Sequence, residues 1–306
     1  GGDLVGVAPA HVRRVGPVDL VRPLGHGAGA IVSTLVAPVK GDVAGLLLDG
    51  LLSGPRSVVH LADAPLDDPL VVRARAGDGV AVRATLHDTC PVVDLGGVAS
   101  SADLLGRATH RNLRKTLARV DRSLDGRDVR VDEATGPPEV AAAFDRLGPL
   151  FDAAEAANPR AHFGQGALGE FFRGALAAWA ARRQVSLLTL LVDDEPVAFD
   201  VYVTSGTPTG GTAWAVLGRY DPVAADLSPG HLLLRGAVDW ATARGIGILD
   251  LQLGADLYKT RWSTGAVDTF EVLIGPPARL ATAAASVRAA ESAHHLRAGL
   301  LERLAR

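Results

Sequence analysis

The chain has 306 residues, 48% hydrophobic and 21% charged, which is ample for a buried core and long enough for two domains of ordinary size. A net charge of -3 gives no global pull toward nucleic acid or anionic membrane, so any such contact has to come from a local patch. A lone cysteine, Cys90, excludes an internal disulfide framework and any multi-cysteine metal site; it fits a reducing cytoplasm and reads as a small buried apolar residue.

No apolar run reaches the roughly 18 residues of a membrane span, and no signal peptide is recognisable, so a soluble, cytoplasmic protein without membrane contact is expected. The opening "GGDLVGVAP", in a sequence without methionine, reads as a turn entering a strand and suggests a natural start further upstream. Residues 4 to 8 and about 17 to 37 are predicted strands, "KGDVAGLLLDGLLSG" from Lys40 a short amphipathic helix, and "SVVHLADA" (57–64) a mostly apolar strand. "GVAVRATLHDTCPVVDL" (79–95) returns to strand patterning.

From Ser101, read as an N-cap, to Leu124 the pattern predicts one helix, with Leu113, Leu117, Val120 and Leu124 on one face. Arg107, Arg111, Arg114, Lys115, Arg119 and Arg122 occupy the rest of it, either as a holder of phosphates or as a solvated face paired with acids such as Asp103 and Asp121. "VRVDEA" (129–134) is a strand, and 137–157 and 166–183 are helices. "VSLLTLLVDDEPVAFDVYVTSG" gives two strands around a turn at Asp193 to Pro196, and "GTAWAVLGRY" gives a third. The loop "DPVAADLSPG" opens a helix at about 229–244, the strand "IGILDLQL" follows, then a loop, a strand at 267–274 and a helix from Pro277 onward.

Two stretches carry chemistry. At Ser228-Pro229-Gly230-His231, Ser can cap, Pro removes an N–H that would be orphaned anyway, Gly admits a close approach, and the helix N-terminus favours an anion. In "LDLQLGADLYKTRW" (249–262) a strand carrying Asp250 ends at Gly254 and delivers Tyr258, Lys259, Arg261 and Trp262; Lys259 offers a point charge and Tyr258 a proton or hydrogen bond. The histidines His110, His162, His231 and His294-His295 lack metal-ligand spacing, and no metal is expected; His162 could face an acceptor pocket.

The spaced combination of "HRNLRKTLARVDRSL", "LLVDDEPVAFDVYV", "GRYDPVAADLSPGHLLLRGAVDWA" and "LDLQLGADLYKTRW" resembles the GNAT acyltransferase fold, in its CelD/BcsL branch related to the Fem aminoacyl transferases. The resemblance covers about 100–275 and is looser over 1–98, where it rests on "LVGVAP" and "VRPLGH". It implies an α/β fold of two GNAT-like lobes with mixed, largely antiparallel sheets flanked by helices. The expected division is an N-terminal lobe (1–98), a basic connecting helix and strand (99–136), a C-terminal lobe with the site (137–276) and a last helix (277–306).

It further implies an N-acyltransferase in which an amine of a sugar or small metabolite attacks the carbonyl of the donor directly. The donor would be acyl-CoA, with aminoacyl-tRNA as the alternative because the chain lacks the usual glutamine/arginine-x-x-glycine-x-glycine loop. Ser228, Gly230, His231 and Arg219 would hold the donor; Lys259, Tyr258 and Asp250 would be catalytic; Trp214, Tyr202, Trp262 and Arg114 would meet the substrate. The base that takes the proton of the amine stays open among Asp200, Asp221, Asp250 and His231. A GNAT-like binding or scaffold module without catalysis is the other expectation.

Overall fold

The computed structural model describes residues 6–24, 35–36, 41–157, 166–204, 210–254 and 256–304. It divides into two compact units, Gly1–Thr89 with Val267–Arg306, and Cys90–Ala266. In chain order the first unit brings strands β1 (Gly6–Val7), β2 (Ala10–Val15), β3 (Val18–Pro23) and β4 (Leu35–Val36) and helix α1 (Val43–Leu52). β5 (Ser57–Ala64), α2 (Pro69–Ala76) and β6 (Ala81–Asp94) follow, and β6 continues into the second unit. There the chain forms α3 (Ser101–Gly106), a 3-10 turn (Ala108–His110), α4 (Arg111–Ser123), β7 (Val129–Ala134), α5 (Pro137–Arg146), α6 (Gly148–Ala157) and α7 (Gly166–Ala181). It goes on with β8 (Val185–Val192), β9 (Glu195–Thr204), β10 (Thr212–Tyr220), a 3-10 turn (Pro222–Leu227), α8 (Pro229–Ala243), β11 (Ile248–Asp250) and α9 (Leu257–Trp262). β12 (Gly265–Gly275) and α10 (Pro277–Leu304) return to the first unit.

In the first unit β2 and β3 pair antiparallel, β3 and β5 parallel, and β5 and β12 antiparallel. Alternation sends Val21, Val59, Leu61 and Val272 into one core, which also takes Leu48 of α1 and Leu70 of α2. The other side, Leu20, Val58 and Leu273, packs on Leu280, Ala283, Ala284 and Val287 of α10. Three polar side chains of that same register, Arg22, His60 and Glu271, bond in a row: Arg22 Nε donates to His60 Nδ1 (3.0 Å), and His60 Nε2 to Glu271 Oε1 (3.1 Å). Asp63, left-handed at φ 54° where the β5–β12 register slips, holds His87 at 2.6 Å.

In the second unit the strand order is β6-β11-β10-β9-β8-β7. Only β10 and β11 run parallel; the other pairs are antiparallel. β8 is buried along its whole length because helices cover both of its faces, which explains its nearly unbroken apolar run. Leu188, Leu190 and Val192 face the core shared with α4 and α8, and Val185 and Leu187 the core shared with α5, α6 and α7. The β8–β9 hairpin turns on two residues, Asp193 and Asp194, both left-handed (φ 52° and 67°), as a type I′ turn requires. The fold is α/β with mixed, largely antiparallel sheets flanked by helices.

Four expectations about local structure are corrected. The predicted helix 101–124 breaks at Arg107, which is extended (ψ 147°). In a continuous helix Leu104 would stand about 180° from Leu113, so the break is what lets both reach one core. The cap of α3 is Ser100, whose side chain accepts from the Asp103 amide, while Ser101 bonds Asp239 through both its amide (2.7 Å) and its hydroxyl (2.8 Å). The stretch 137–157 is two helices, since Pro149 cannot sit inside one. Last, the predicted strand 246–253 shrinks to three residues as Gln252 and Gly254 turn left-handed, and the predicted loop after it contains α9.

Candidate functional site

β10 and β11 pair over only three positions, Thr212 to Trp214 with Ile248 to Asp250, and β10 then runs on to Tyr220 without β11. At this open end lies a cavity of about 620 Å³. Its walls come from the middle of β9 (Ala198, Asp200), the end of β10 (Gly218, Arg219, Tyr220), the first turn of α8 (Pro229, Gly230, His231) and α9 (Leu257, Tyr258, Arg261). Ala154 and Ala157 of α6 close another side. The volume is in the range that small-molecule ligands occupy.

The spacing on α9 decides what faces in. Successive helical residues are about 100° apart, so Leu257, Tyr258 and Arg261, at i, i+1 and i+4, line the cavity and Lys259 turns away. The Lys259 ammonium donates to the carbonyl of Leu253 (2.9 Å). Burial draws its pKa down, against the pull of Asp256, Asp200, Cys90 and Asp250. Lys259 thereby ties the left-handed stretch Gln252 to Gly254 to the helix that carries Tyr258.

Asp200 is half-buried and opens onto the cavity. Desolvation lifts its pKa to about 7, against the lowering effects of Lys259 and of a 3.3 Å hydrogen bond donated by the Tyr202 hydroxyl. Gly218 stands opposite Asp200 in the β9–β10 ladder, and a Cβ there would lie 2.0 Å from Asp200 Oδ1. Glycine is therefore what makes room for the carboxyl. Tyr258 is kept protonated, since burial and the charges of Asp200 and Asp256 raise its pKa.

At the α8 entrance, Ser228 is left-handed (φ 51°, ψ 52°) and makes no side-chain cap; its carbonyl accepts from the amides of His231 (2.9 Å) and Leu232 (3.3 Å). The expected side-chain cap is thus absent, and the carbonyl bonds are the first of the helix itself. Gly230 admits the Tyr258 ring, which a Cβ would meet at 3.1 Å, so the close approach is made by this chain's own aromatic. His231 Nδ1 accepts from the indole of Trp262 (3.1 Å), and the His231 and Tyr258 rings meet edge to face at 6.3 Å. Burial, then Arg261, hold the His231 pKa below its ordinary value.

Of the residues singled out in the sequence, Ser228, Gly230, His231, Arg219, Tyr258 and the base candidate Asp200 line this cavity together. Asp250 is buried at the end of β11, where its carboxylate accepts the Gln252 amide (2.8 Å) and closes the turn. Tyr202 is fully buried, with its ring 5.2 Å from that of Trp240, and Trp262 is fully buried behind His231. Trp214 sits in the ladder beside Asp250 and Val203. Arg114 donates to the carbonyls of Leu105 (2.9 Å) and Gly106 (3.3 Å), at the end of α3. Asp221 bonds the Val223 amide (2.9 Å), and His162 lies outside the described residues.

Tyr220, Leu257 and the two α6 alanines were not foreseen. Tyr220 and Leu257 lie inside stretches already quoted, whereas Ala154 and Ala157 carry no sequence signal. All six cations of the basic segment are exposed, and among the described residues none is in an ion pair; Asp121 pairs with Arg235 of α8 instead. Among the described residues no cluster of three His, Cys, Asp or Glu side chains could hold a metal ion, and no helix is long and apolar enough to cross a membrane.

The order helix, open parallel pair and amide-bearing helix mouth is reflected in a family comparison. Residues 110–260 match the acetyltransferase (GNAT) domain. The matched stretch contains the cavity residues named above except Arg261, which follows directly after it. No curated protein matches the chain. Among solved structures, the C-terminal domain of a protein described as a lysylphosphatidylglycerol synthetase from Agrobacterium fabrum is similar at 16% identity and a TM-score of 0.62, over 91% of this chain and 84% of that one. L-PGS from Bacillus licheniformis is 13% identical with a TM-score of 0.56, over 91% of this chain and 84% of that one. FemX is 10% identical with a TM-score of 0.57, over 89% of this chain and 85% of that one. At such identities the likeness concerns the fold alone.

Proposed function

We propose that the chain is an N-acyltransferase of the CelD/BcsL branch that moves an acyl group from acyl-CoA to an amine of a sugar or small metabolite. The observation that carries this reading is the meeting of three elements on one cavity: the first turn of α8, the protonated Tyr258 and the near-neutral Asp200. The positive dipole end of α8, with Arg219 and Arg261 on the same wall, suits the phosphates of a donor.

In the proposed reaction the amine nitrogen attacks the thioester carbonyl, the C–N bond forms, and Asp200 takes the proton the nitrogen sheds. The C–S bond breaks, and the departing thiolate receives a proton from the Tyr258 hydroxyl. A carboxyl near pH 7 and a phenol held protonated match those two tasks. Holding both reactants in one cavity supplies much of the remaining acceleration. Lys259 acts from behind the wall by fixing α9, and Asp250 closes the turn that leads to it.

Aminoacyl-tRNA is the second donor to test, favoured by the exposed cations of α4, none of which is in an ion pair among the described residues, and by the resemblance to Fem aminoacyl transferases. Calorimetry with acetyl-CoA and a gel shift with charged tRNA separate the two. Binding of neither would favour a scaffold without catalysis. Full activity in Asp200→Asn, with either donor, would overturn the assignment of the base.

A further inference from the structure

The cavity contains a histidine whose protonation pattern is set by its surroundings. An indole N–H can only donate, so His231 Nδ1, 3.1 Å from Trp262 Nε1, has to be the accepting nitrogen, and the ring proton of the neutral imidazole is on Nε2. Trp262 is fully buried, which fixes the Nδ1 edge inward while His231 itself forms part of the cavity wall. His231 also stands in the first turn of the 15-residue α8, where the amide dipoles oppose a positive imidazolium. The other charged or titratable groups on that wall are Asp200, Arg219, Tyr220, Asp256, Tyr258 and Arg261. Burial and Arg261 both work against protonation.

We propose that His231 serves as a neutral hydrogen-bond donor, presenting Nε2–H to an oxygen of the bound ligand, and that Trp262 is the positioning residue that imposes this tautomer. The proposal rests on the cavity being the ligand site argued above, and it removes His231 from the candidates for general base. A base needs a free lone pair, and the one on Nδ1 is engaged with the indole. The ligand oxygen is that of a donor phosphate or of the transferring carbonyl, where charge grows during attack. Trp262 would thus act through His231, without touching the substrate.

The deciding experiment is nitrogen-15 NMR of the histidine rings in the whole protein from pH 8 to 6, with the His231 signals assigned by their loss in His231→Gln. The expected result is one neutral tautomer protonated on Nε2 across the range; an Nδ1-protonated ring or an imidazolium at pH 7 would overturn the proposal. In Trp262→Phe, which keeps a ring and loses the donor, the tautomers should mix and the protonation midpoint should rise. If that variant fails to fold, the wild-type spectrum decides alone. In turnover, His231→Gln, which retains an N–H, should keep activity within about tenfold, and His231→Leu should lose about 10²–10³-fold. Equal losses in both would overturn the donor role. Should no donor yield transfer, the functional reading fails while the NMR result still decides the tautomer.

Discussion

The two units each contain a buried polar cluster, and the clusters follow opposite rules. In the first unit Arg22, His60 and Glu271 are hydrogen-bonded in a row across three strands. In the second, Asp200 receives one bond from Tyr202 and His231 one from Trp262, and both side chains keep a second edge on a cavity. A buried polar group satisfied from within specifies which strands lie side by side. A group with capacity left over and open space in front of it is available to a ligand, and its pKa is displaced because solvation was removed without full replacement. The same residue types therefore hold a sheet together in one place and prepare for chemistry in another.

The sharpest way to break this contrast is Asp200→Asn. Loss of the proposed base should lower turnover by about 10²–10⁴-fold. The same variant should unfold at a higher temperature at pH 8. The reason is that the folded pKa, about 7, exceeds the ordinary 3.8, so between those values the folded state holds a proton that the unfolded state has lost, and stability falls as pH rises through that window. A variant that is inactive and less stable would place Asp200 with the structural cluster. Gly218→Ala comes next: its Cβ would displace the carboxyl, and an error of about 1 Å at a reacting group costs on the order of 10²-fold in rate. Kinetics at saturating donor would reveal it, and unchanged kcat would mean that Asp200 does not need its present position.

For the closed cluster the expectation is reversed. His60→Leu removes the partner shared by Arg22 and Glu271 and should cost about 2–3 kcal/mol in denaturant unfolding while kcat per folded molecule stays the same. A kinetic defect without a stability change would transfer the first unit's cluster to the functional side. The smallest effects are in pH. Glu271 is held below 4.5, first by the His60 hydrogen bond, so its contribution is present above that value and lost as acid brings the pH through the folded pKa. For His87, burial pulls down, but Asp63, Glu271 and Asp88 together raise the pKa above 6.5. Its contribution is present below 6.5 and lost as pH rises through the folded pKa. Thermal scans of Glu271→Gln and His87→Asn against wild type should show these two slopes flattening.

Elements governed by their own residues were legible in the sequence. β5 and β7 have the expected bounds, α8 begins at Pro229, and the Asp193-Asp194 turn sits where the acidic pair suggested. Features that depend on distant packing were not legible. The break at Arg107 answers to a core that needs Leu104 and Leu113 together, and α9 exists because Gln252 and Gly254 turn the chain before Asp256. Asp200 was one of four candidates for the base, and nothing in strand alternation tells which side of a strand opens onto a cavity. The role of His60 within a mostly apolar strand was not legible because its partner Glu271 lies 211 positions later.

The brevity of β11 has its own consequence. Backbone pairing proceeds in whole residues, each adding about 3.3 Å of closed ladder, so the mouth between β10 and β11 can widen or narrow only in steps. One further pair beyond Asp250 would draw the Leu251–Gly254 bend along the edge of β10 and carry Tyr258 with it. The reach of this pocket is thus counted in residues rather than tuned continuously, and a single inserted or deleted position in that bend would be enough to change which molecules fit.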